Sequence, residues 1–545
     1  ARAPATASAG AAEGAVPSAI IIGGGRIGTA LEQMGNGDDV VLRRGDAFPA
    51  DAPAGPIFVC TRNDALDGII ESVPEGRRED LVFLQNGMLQ PYLDAKGLGD
   101  NTQALIYMAV AKLGDAPTDG ITDTDPDGLT AACGKWAPAL AARLNAGGMS
   151  CHVLEGDVFK ASMLEKLIWI SAFMLVGARH PGATVGDVES QHTDEVTQLI
   201  DELAAGCAAQ GVTFKPDVAV RLRAYARSVA HFPTAVKELE WRNGYFHSLT
   251  KKAVADGEAD PFPTHTAWLT EVGAVPPLPK FALLFDCDGV IVETEELHRL
   301  AYNASFKHFE LKLDGTEQVE WTVEYYDVLQ NTVGGGKPKM KYYFNTERAQ
   351  WPSSVEGAAP ESEEDRSALV DRLQDQKTVC YKELVETTAE ARPGVLRLMD
   401  EALDRGDVAV AICSAATRAG FDKVVNSIVK PDRLARFDVI LAGDDVSKKK
   451  PDPLIYNLAR ERLGVPRERC VVVEDSIVGL KAAVSAGMPC IITPTSSNST
   501  SPEEFLAQGA ALVVEDLDTC DMTAAGMFPA DADVPKLEAG TNVAA

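Results

Sequence analysis

An uncharged apolar run, Phe281-Ala-Leu-Leu-Phe285, ends in Asp286-Cys-Asp288-Gly289 and constrains the chain more than any other stretch. A run without charge or alternation predicts a strand buried on both faces, as in a parallel sheet flanked by helices. Sheets of that kind bind ligands at the carboxyl ends of their strands, where the two aspartates stand. One residue apart on an extended chain, Asp286 and Asp288 point the same way, and two like charges so close call for a cation between them. Oxygen ligands with a phosphate partner point to Mg²⁺.

Asp-x-Asp also occurs in ordinary turns, so the pair alone decides little, and three later segments matter more. Val408-Ala-Val-Ala-Ile-Cys-Ser414 reads as a second buried strand ending in a hydroxyl. Lys448-Lys-Lys450-Pro is a basic cluster before a helix-starting proline, and Cys470-Val-Val-Val-Glu474-Asp475 is a third strand ending in two acids. In this order the four segments resemble the motifs of the haloacid dehalogenase superfamily of phosphotransferases. Glu293-Thr-Glu-Glu-Leu-His298, Gly334-Gly-Gly-Lys337, Arg392-Pro-Gly and Glu474-Asp-Ser narrow the resemblance to the xylulose-1,5-bisphosphate phosphatases, which protect Rubisco from an inhibitory misfire product. The resemblance runs from about Phe281 to Val514; Ala415-Ala416 departs from relatives that carry more hydroxyls there.

The resemblance implies roles. Asp286 is the nucleophile that forms an aspartyl phosphate, and Asp288 is the acid for the leaving alkoxide and then the base for water. Ser414 and Lys450 hold the phosphoryl oxygens, while Asp286, the Asp288 carbonyl, Glu474 and Asp475 hold Mg²⁺. Substrate contacts fall to Glu293 and His298 for sugar hydroxyls, Lys337 for a distal phosphate, and Arg392. The helical stretch between the first two motifs stands where the superfamily carries a cap. A phosphosugar mutase, which passes the phosphoryl group to another hydroxyl, shares these motifs and remains the alternative.

Near the other end, Ser18-Ala-Ile-Ile-Ile-Gly23-Gly-Gly25-Arg-Ile-Gly28 is a strand running into Gly-x-Gly-x-x-Gly and a helix. In that context the glycines read as a dinucleotide-binding turn, with Gly23 for the tight turn, Gly25 for pyrophosphate approach and Gly28 for packing of helix on strand. Further strands are expected over Asp39–Arg44, Pro56–Thr61, Asp80–Gly87 and Ala104–Ala109, followed by helical periodicity to about Val272. This half distantly resembles the ketopantoate reductases through Gln85-Asn86-Gly-Met, Lys166 and Glu238-Leu-Glu-Trp-Arg-Asn243. The resemblance implies NADP(H) held by Gly23, Gly25, Gly28, Arg43 and Asn86, and a reductase site at Lys166 and Glu238. Ile170 and Met174 stand where family members carry asparagines, and an apolar residue cannot replace an amide hydrogen bond. A regulatory or scaffolding role therefore stays open for this half.

At 545 residues, the chain exceeds one core. The expectation is a multidomain α/β protein. Residues 1–17 are a disordered or transit-peptide remnant, 18–150 a Rossmann domain, 151–272 an all-helical domain and 273–280 a proline-rich linker. A haloacid dehalogenase-like Rossmannoid core then spans 281–296 and 391–516, with a helical cap at 297–390 and a loose tail at 517–545. A net charge of −29 excludes general affinity for nucleic acid or anionic membrane. The longest apolar stretch, Leu167 to Ala178, falls short of the ~20 residues of a membrane span. Ten scattered cysteines without Cys-x-x-Cys fit buried free thiols. If the alanine-rich start is a processed transit peptide the expected location is the chloroplast stroma, and otherwise the cytoplasm.

Overall fold

The computed structural model describes residues 16–537 apart from 111, 334, 496–497, 499 and 519–521. The expected remnant at 1–17 therefore lies almost wholly outside the described residues. The chain forms two compact units: one runs to Thr250 and resumes over Pro261–Pro276, the other comprises Lys251–Asp260 and the chain from Pro277 on.

The first unit is an α/β domain plus helices. Its sheet contains β1 (Ile20–Ile22), β2 (Val40–Leu42), β3 (Ile57–Val59), β4 (Leu81–Phe83), β5 (Thr102–Leu105), β6 (Ala131–Cys133) and β7 (His152–Val153), in the order β2-β1-β3-β4-β5-β6-β7. The first five run parallel and β6 pairs antiparallel with β5. Alternate residues feed opposite faces: Ile21 and Phe58 pack into one core, Ile20, Ile57 and Val59 into the other. The parallel part has the doubly wound order 2-1-3-4-5 and not the 3-2-1-4-5-6 of the dinucleotide fold, which sets its topological switch between β1 and β3. There Gly23 has φ +110°, and a β-carbon on it would lie 2.7 Å from the Cys60 carbonyl oxygen, so the turn requires glycine.

The helices Gly156–Arg179, Val185–Gln191, Thr193–Ala209 and Val218–Ser228 pack around their own apolar core. Gly156–Arg179 is long and apolar enough to cross a membrane, where the sequence suggested no such segment, but 72% of its apolar window is buried in the fold, as in a core helix.

The second unit holds a sheet of β8 (Phe281–Phe285), β11 (Val408–Cys413), β12 (Val439–Leu441), β13 (Cys470–Glu474), β14 (Cys490–Ile492) and β15 (Leu512–Val513). All pairings are parallel, in the order β12-β11-β8-β13-β14-β15. The uncharged strands are buried on both faces: Phe281, Leu283 and Phe285 face one core, Ala282 and Leu284 the other. Between β8 and β11 the helices Thr294–His308, Val323–Thr332, Gly336–Tyr342 and Glu363–Thr387, with a small ribbon of β9 (Lys312–Leu313) and β10 (Glu317–Gln318), close on a core around Trp321, Phe306 and Phe344. Here the aromatic residues of the expected cap are core.

The expectation of a loose tail needs correction. Leu517, Met522, Met527 and Phe528 are buried in the core beside β8, and the Phe528 ring lies 5.3 Å from that of Phe281. A few large apolar residues in an acidic, alanine-rich stretch are enough to dock it. The nine described cysteines are free.

Candidate active site

Three neighbouring strands deliver the polar groups, two of them delivering acids and one a hydroxyl. Asp286 follows β8, Ser414 follows β11, and Glu474 ends β13 with Asp475 next; the Asp286 N–H donates to the Val473 carbonyl at 3.0 Å, which locks the first and third tips together. Lys450 enters from the loop before the helix Leu454–Leu463. Its ammonium donates to Asp286 Oδ1 at 2.5 Å, Glu474 Oε1 at 2.7 Å and the Cys413 carbonyl at 2.9 Å, satisfying all three of its protons. The Tyr456 hydroxyl donates to Glu474 Oε1 at 2.5 Å.

Burial, with the charge of Glu474 next, pushes the Asp286 carboxyl well above the usual carboxylate range. The same two causes raise Asp475 to about 7. Burial opposes the Lys450 charge, yet Asp286 and Glu474 together hold its ammonium above the ordinary lysine value. Burial also raises Asp288, against hydrogen bonds from Thr294 and Ser414. One lysine does not neutralise these carboxylates, and a cation among them removes the repulsion.

The donor set fits such a cation. Oxygens of Asp286, Glu474 and Asp475 lie within 4.8 Å of one another, the all-carboxylate set Mg²⁺ prefers. Two glycines shape the cradle: a β-carbon on Gly289 would come 2.1 Å from Asp475 Oδ2, and one on Gly479 would meet the Glu474 carboxylate at 1.9–2.1 Å. Sequence reading missed Gly479 and Tyr456, because their partner Glu474 is apparent only when β13 is assembled with the helices Leu454–Leu463 before it and Ile477–Ser485 after it.

The carboxylates open into a cavity of about 730 Å³ lined from the cap by Asp327, Gln330 and Lys339. Asp286, Asp288, Glu293, Lys450, Glu474 and Asp475 all line it. Other expected contacts do not. Lys337 is exposed and pairs with Asp371 at 2.8 Å, while Lys339, two residues on and turned to another face of its helix, lines the cavity. Ser414 is fully buried, with its hydroxyl 3.4 Å from Asp288 Oδ2, and Ala415 takes its place in the lining. His298 stacks on Tyr381 and its Nδ1 accepts a hydrogen bond from Lys377 at 2.8 Å, so the imidazole is tied into the cap. Arg392 is committed to backbone: it donates to the carbonyls of Gly289, Thr493, Pro494 and Glu515 and braces the loops that carry the site.

Residues 282–487 match the family model of haloacid dehalogenase-like hydrolases. A haloacid dehalogenase-like hydrolase domain-containing protein of Arabidopsis thaliana is 49% identical over 232 residues, 42% of this chain and 72% of that protein. The chain belongs to the haloacid dehalogenase-like hydrolases. Protein CbbY of Rhodobacter capsulatus is 34% identical over 227 residues, 42% of this chain and 89% of CbbY. A crystal structure of CbbY from Rhodobacter sphaeroides in complex with xylulose-1,5-bisphosphate is 32% identical, covering 44% of this chain and 96% of that one, with a TM-score of 0.33. The hydrolase match falls entirely within the second unit.

Candidates in the first unit lie outside the hydrolase match. Gly23, Gly25 and Gly28 form the turn from β1 into the helix Arg26–Gln33; a β-carbon on Gly28 would strike the Gly23 carbonyl at 1.9 Å, whereas one on Gly25 meets nothing within 4 Å. Arg43 follows β2, and its Nε lies 3.2 Å from the β-carbon position of Gly24. Asn86 and Lys166 line one very small cavity with Gln85 and Ile170. Lys166 donates to the Ile106 carbonyl at 2.6 Å, and burial lowers it to about 7. Glu238 does not line that cavity; it has φ +48° and pairs with Arg242, so the two expected reductase groups are not brought to one cavity wall.

Proposed function

We propose that the second unit is a Mg²⁺-dependent phosphatase for a pentulose 1,5-bisphosphate, xylulose-1,5-bisphosphate foremost. The observation that carries this reading is a cavity with Asp286, Lys450, Glu474 and Asp475 on its floor and Lys339 on its cap side. Protein CbbY of Rhodobacter capsulatus, 34% identical over the matched residues, and the Rhodobacter sphaeroides CbbY crystallised with xylulose-1,5-bisphosphate, 32% identical, support the substrate. Among the described residues eight carboxylates but only two lysines line the cavity, so a bisphosphate needs a bound cation as well as the lysines.

Asp286, Glu474 and Asp475 would hold that cation, which would supply the charge that lets a carboxylate approach a phosphoryl group. Asp286 then attacks phosphorus in line, and its strand keeps the attacking oxygen at the cavity floor. Lys450, hydrogen-bonded to Asp286, favours its carboxylate form and faces the transferring oxygens as a fixed charge. Asp288, with its proton affinity raised by burial, protonates the leaving alkoxide and takes the proton back from the water that hydrolyses the acyl phosphate. Glu293, 3.7 Å from Arg392, faces the sugar hydroxyls. A mutase would return the phosphoryl group to sugar.

For the first unit we propose NADP(H) binding at the β1 turn, with Arg43 at the ribose 2′-phosphate, and no committed reduction. A phosphate-release screen over sugar mono- and bisphosphates, with and without nicotinamide cofactors, tests both halves. Stoichiometric phosphate from the pentulose bisphosphate is the expected result. Interconversion of sugar phosphates without phosphate release would instead establish the mutase.

A further inference from the structure

In the first unit, three ligand groups converge at helix ends. His180 follows the helix Gly156–Arg179, His192 stands between Val185–Gln191 and Thr193–Ala209, and Glu195 lies in the first turn of the latter. His180 Nε2 is 2.9 Å and His192 Nδ1 is 3.9 Å from the same oxygen, Glu195 Oε1, and all three ligand atoms lie within 4.8 Å of one another. On a tetrahedral ion with bonds of about 2.0–2.1 Å, neighbouring ligand atoms stand roughly 3.3–3.4 Å apart. The two separations from Glu195 Oε1 bracket that value.

We propose that His180, His192 and Glu195 form a binding site for a divalent transition-metal cation, with Zn²⁺ as its occupant. Two imidazoles and one carboxylate suit Zn²⁺ and are a poor set for Mg²⁺, which wants oxygen; three protein ligands leave a fourth position for water. The surroundings orient the set. The Arg179 guanidinium takes the other carboxylate oxygen, Glu195 Oε2, and is itself held by Glu271 at 3.0 Å and by the face of Trp268 at 4.1 Å. This leaves Oε1 turned to the imidazoles, as an outer partner does for a ligating carboxylate. The backbone is pinned as well: the N–H of His180 donates to Gly177 and that of His192 to Val188, both at 3.2 Å. All three residues are partly exposed, which gives an ion a way in.

The two imidazoles lie stacked, with centroids 3.6 Å apart and planes 11° from parallel. A ring nitrogen offers its lone pair in the ring plane, so a shared ion requires the rings to fan open about Glu195. That rearrangement separates the proposal from a simple hydrogen-bonded His-Glu-His stack.

The test uses the full chain, stripped with chelator and then titrated calorimetrically with Zn²⁺ in millimolar Mg²⁺, which keeps the carboxylate site of the second unit occupied. One equivalent of tight binding is expected, weakened at least tenfold in H180A and in H192A. The carbon-bound ring protons of two histidines should shift together at one equivalent, and both signals should be missing in the double variant. Should either variant fold poorly, H192Q and the wild-type ring shifts decide. Unchanged Zn²⁺ affinity in the variants, or a full equivalent bound with the His180 and His192 signals unmoved, overturns the site.

Discussion

The Lys450 ammonium sits 2.5 Å from Asp286 Oδ1 with both side chains more than nine-tenths buried. The pair is the electrostatic centre of the second unit: Lys450 favours the charged form of Asp286, against burial first and the charges of Glu474, Asp288 and Asp475 after it. D286N removes that charge but keeps the side-chain shape, so phosphate release should fall by about three orders of magnitude or more with folding intact. K450M leaves buried carboxylates unpaired and should both abolish turnover and cost about 3–5 kcal/mol in stability. Phosphate-release assays and denaturant midpoints on the two variants check this. A well-folded D286N with a tenth of wild-type turnover would falsify the mechanism.

Lys339, not Lys337, faces the cavity. K339A should raise KM for a sugar bisphosphate roughly ten- to a hundredfold, the worth of a charge-assisted hydrogen bond of about 1.5–3 kcal/mol, and change a monophosphate little. K337A removes an exposed pair with Asp371 and should leave both within about twofold. The reverse ranking of the two variants rules out the distal-phosphate role of Lys339.

The contrast between these lysines shows what a sequence can disclose. β8, β11 and β13 are legible because uncharged runs ending in acids or a hydroxyl have few other uses, and those endings place Asp286, Asp288, Ser414, Glu474 and Asp475 at one sheet edge. Residues two apart on a helix point in different directions, so choosing Lys339 over Lys337 needs the helix in place. Arg392 is similar: it donates to Gly289, Thr493, Pro494 and Glu515, and contacts over about a hundred residues leave no local pattern. Strands β6 and β7, with three and two residues, are too short to show a period.

The docked C-terminal segment makes its own prediction. Phe528 is fully buried against Phe281, the first residue of the strand that Asp286 follows. F528A should destabilise the second unit by about 3–5 kcal/mol, as for other buried aromatic truncations. Urea unfolding followed by loss of phosphatase activity measures this; a midpoint equal to wild type means the segment contributes nothing.

Arg43 stands at the end of β2 beside the glycine turn, and the nearby Asp46 carboxylate is engaged by the Arg43 backbone N–H at 2.7 Å. NADPH should bind roughly ten- to a hundredfold tighter than NADH, and R43A should remove the difference, because the arginine bonds only the extra phosphate. Calorimetric titration with both reduced cofactors is the measurement. Tighter NADH binding, or a ratio unmoved by R43A, sinks the assignment.

His265 gives the first unit a pH dependence. It is fully buried between Phe246 and Phe262; its Nε2 donates to Asn243 Oδ1 at 2.9 Å, and its Nδ1 has no hydrogen-bond partner among the described residues. A proton on Nδ1 would be a buried, unpaired charge, and burial, with His247 next, lowers the group from 6.5 to about 3. The folded value lies below the unfolded one, so the unfolded chain binds the proton more readily. Stability from this group is therefore complete above pH 6.5 and declines as pH falls from 6.5 towards 3. At pH 5 the loss is about 2 kcal/mol, from roughly 1.5 pH units at 1.36 kcal/mol each. H265F leaves Asn243 without its partner and should be less stable at neutral pH, yet it has no proton to gain. Its denaturation midpoint should thus fall less between pH 7.5 and 5.0 than that of wild type. Equal declines in the two proteins would mean that the acid sensitivity arises elsewhere.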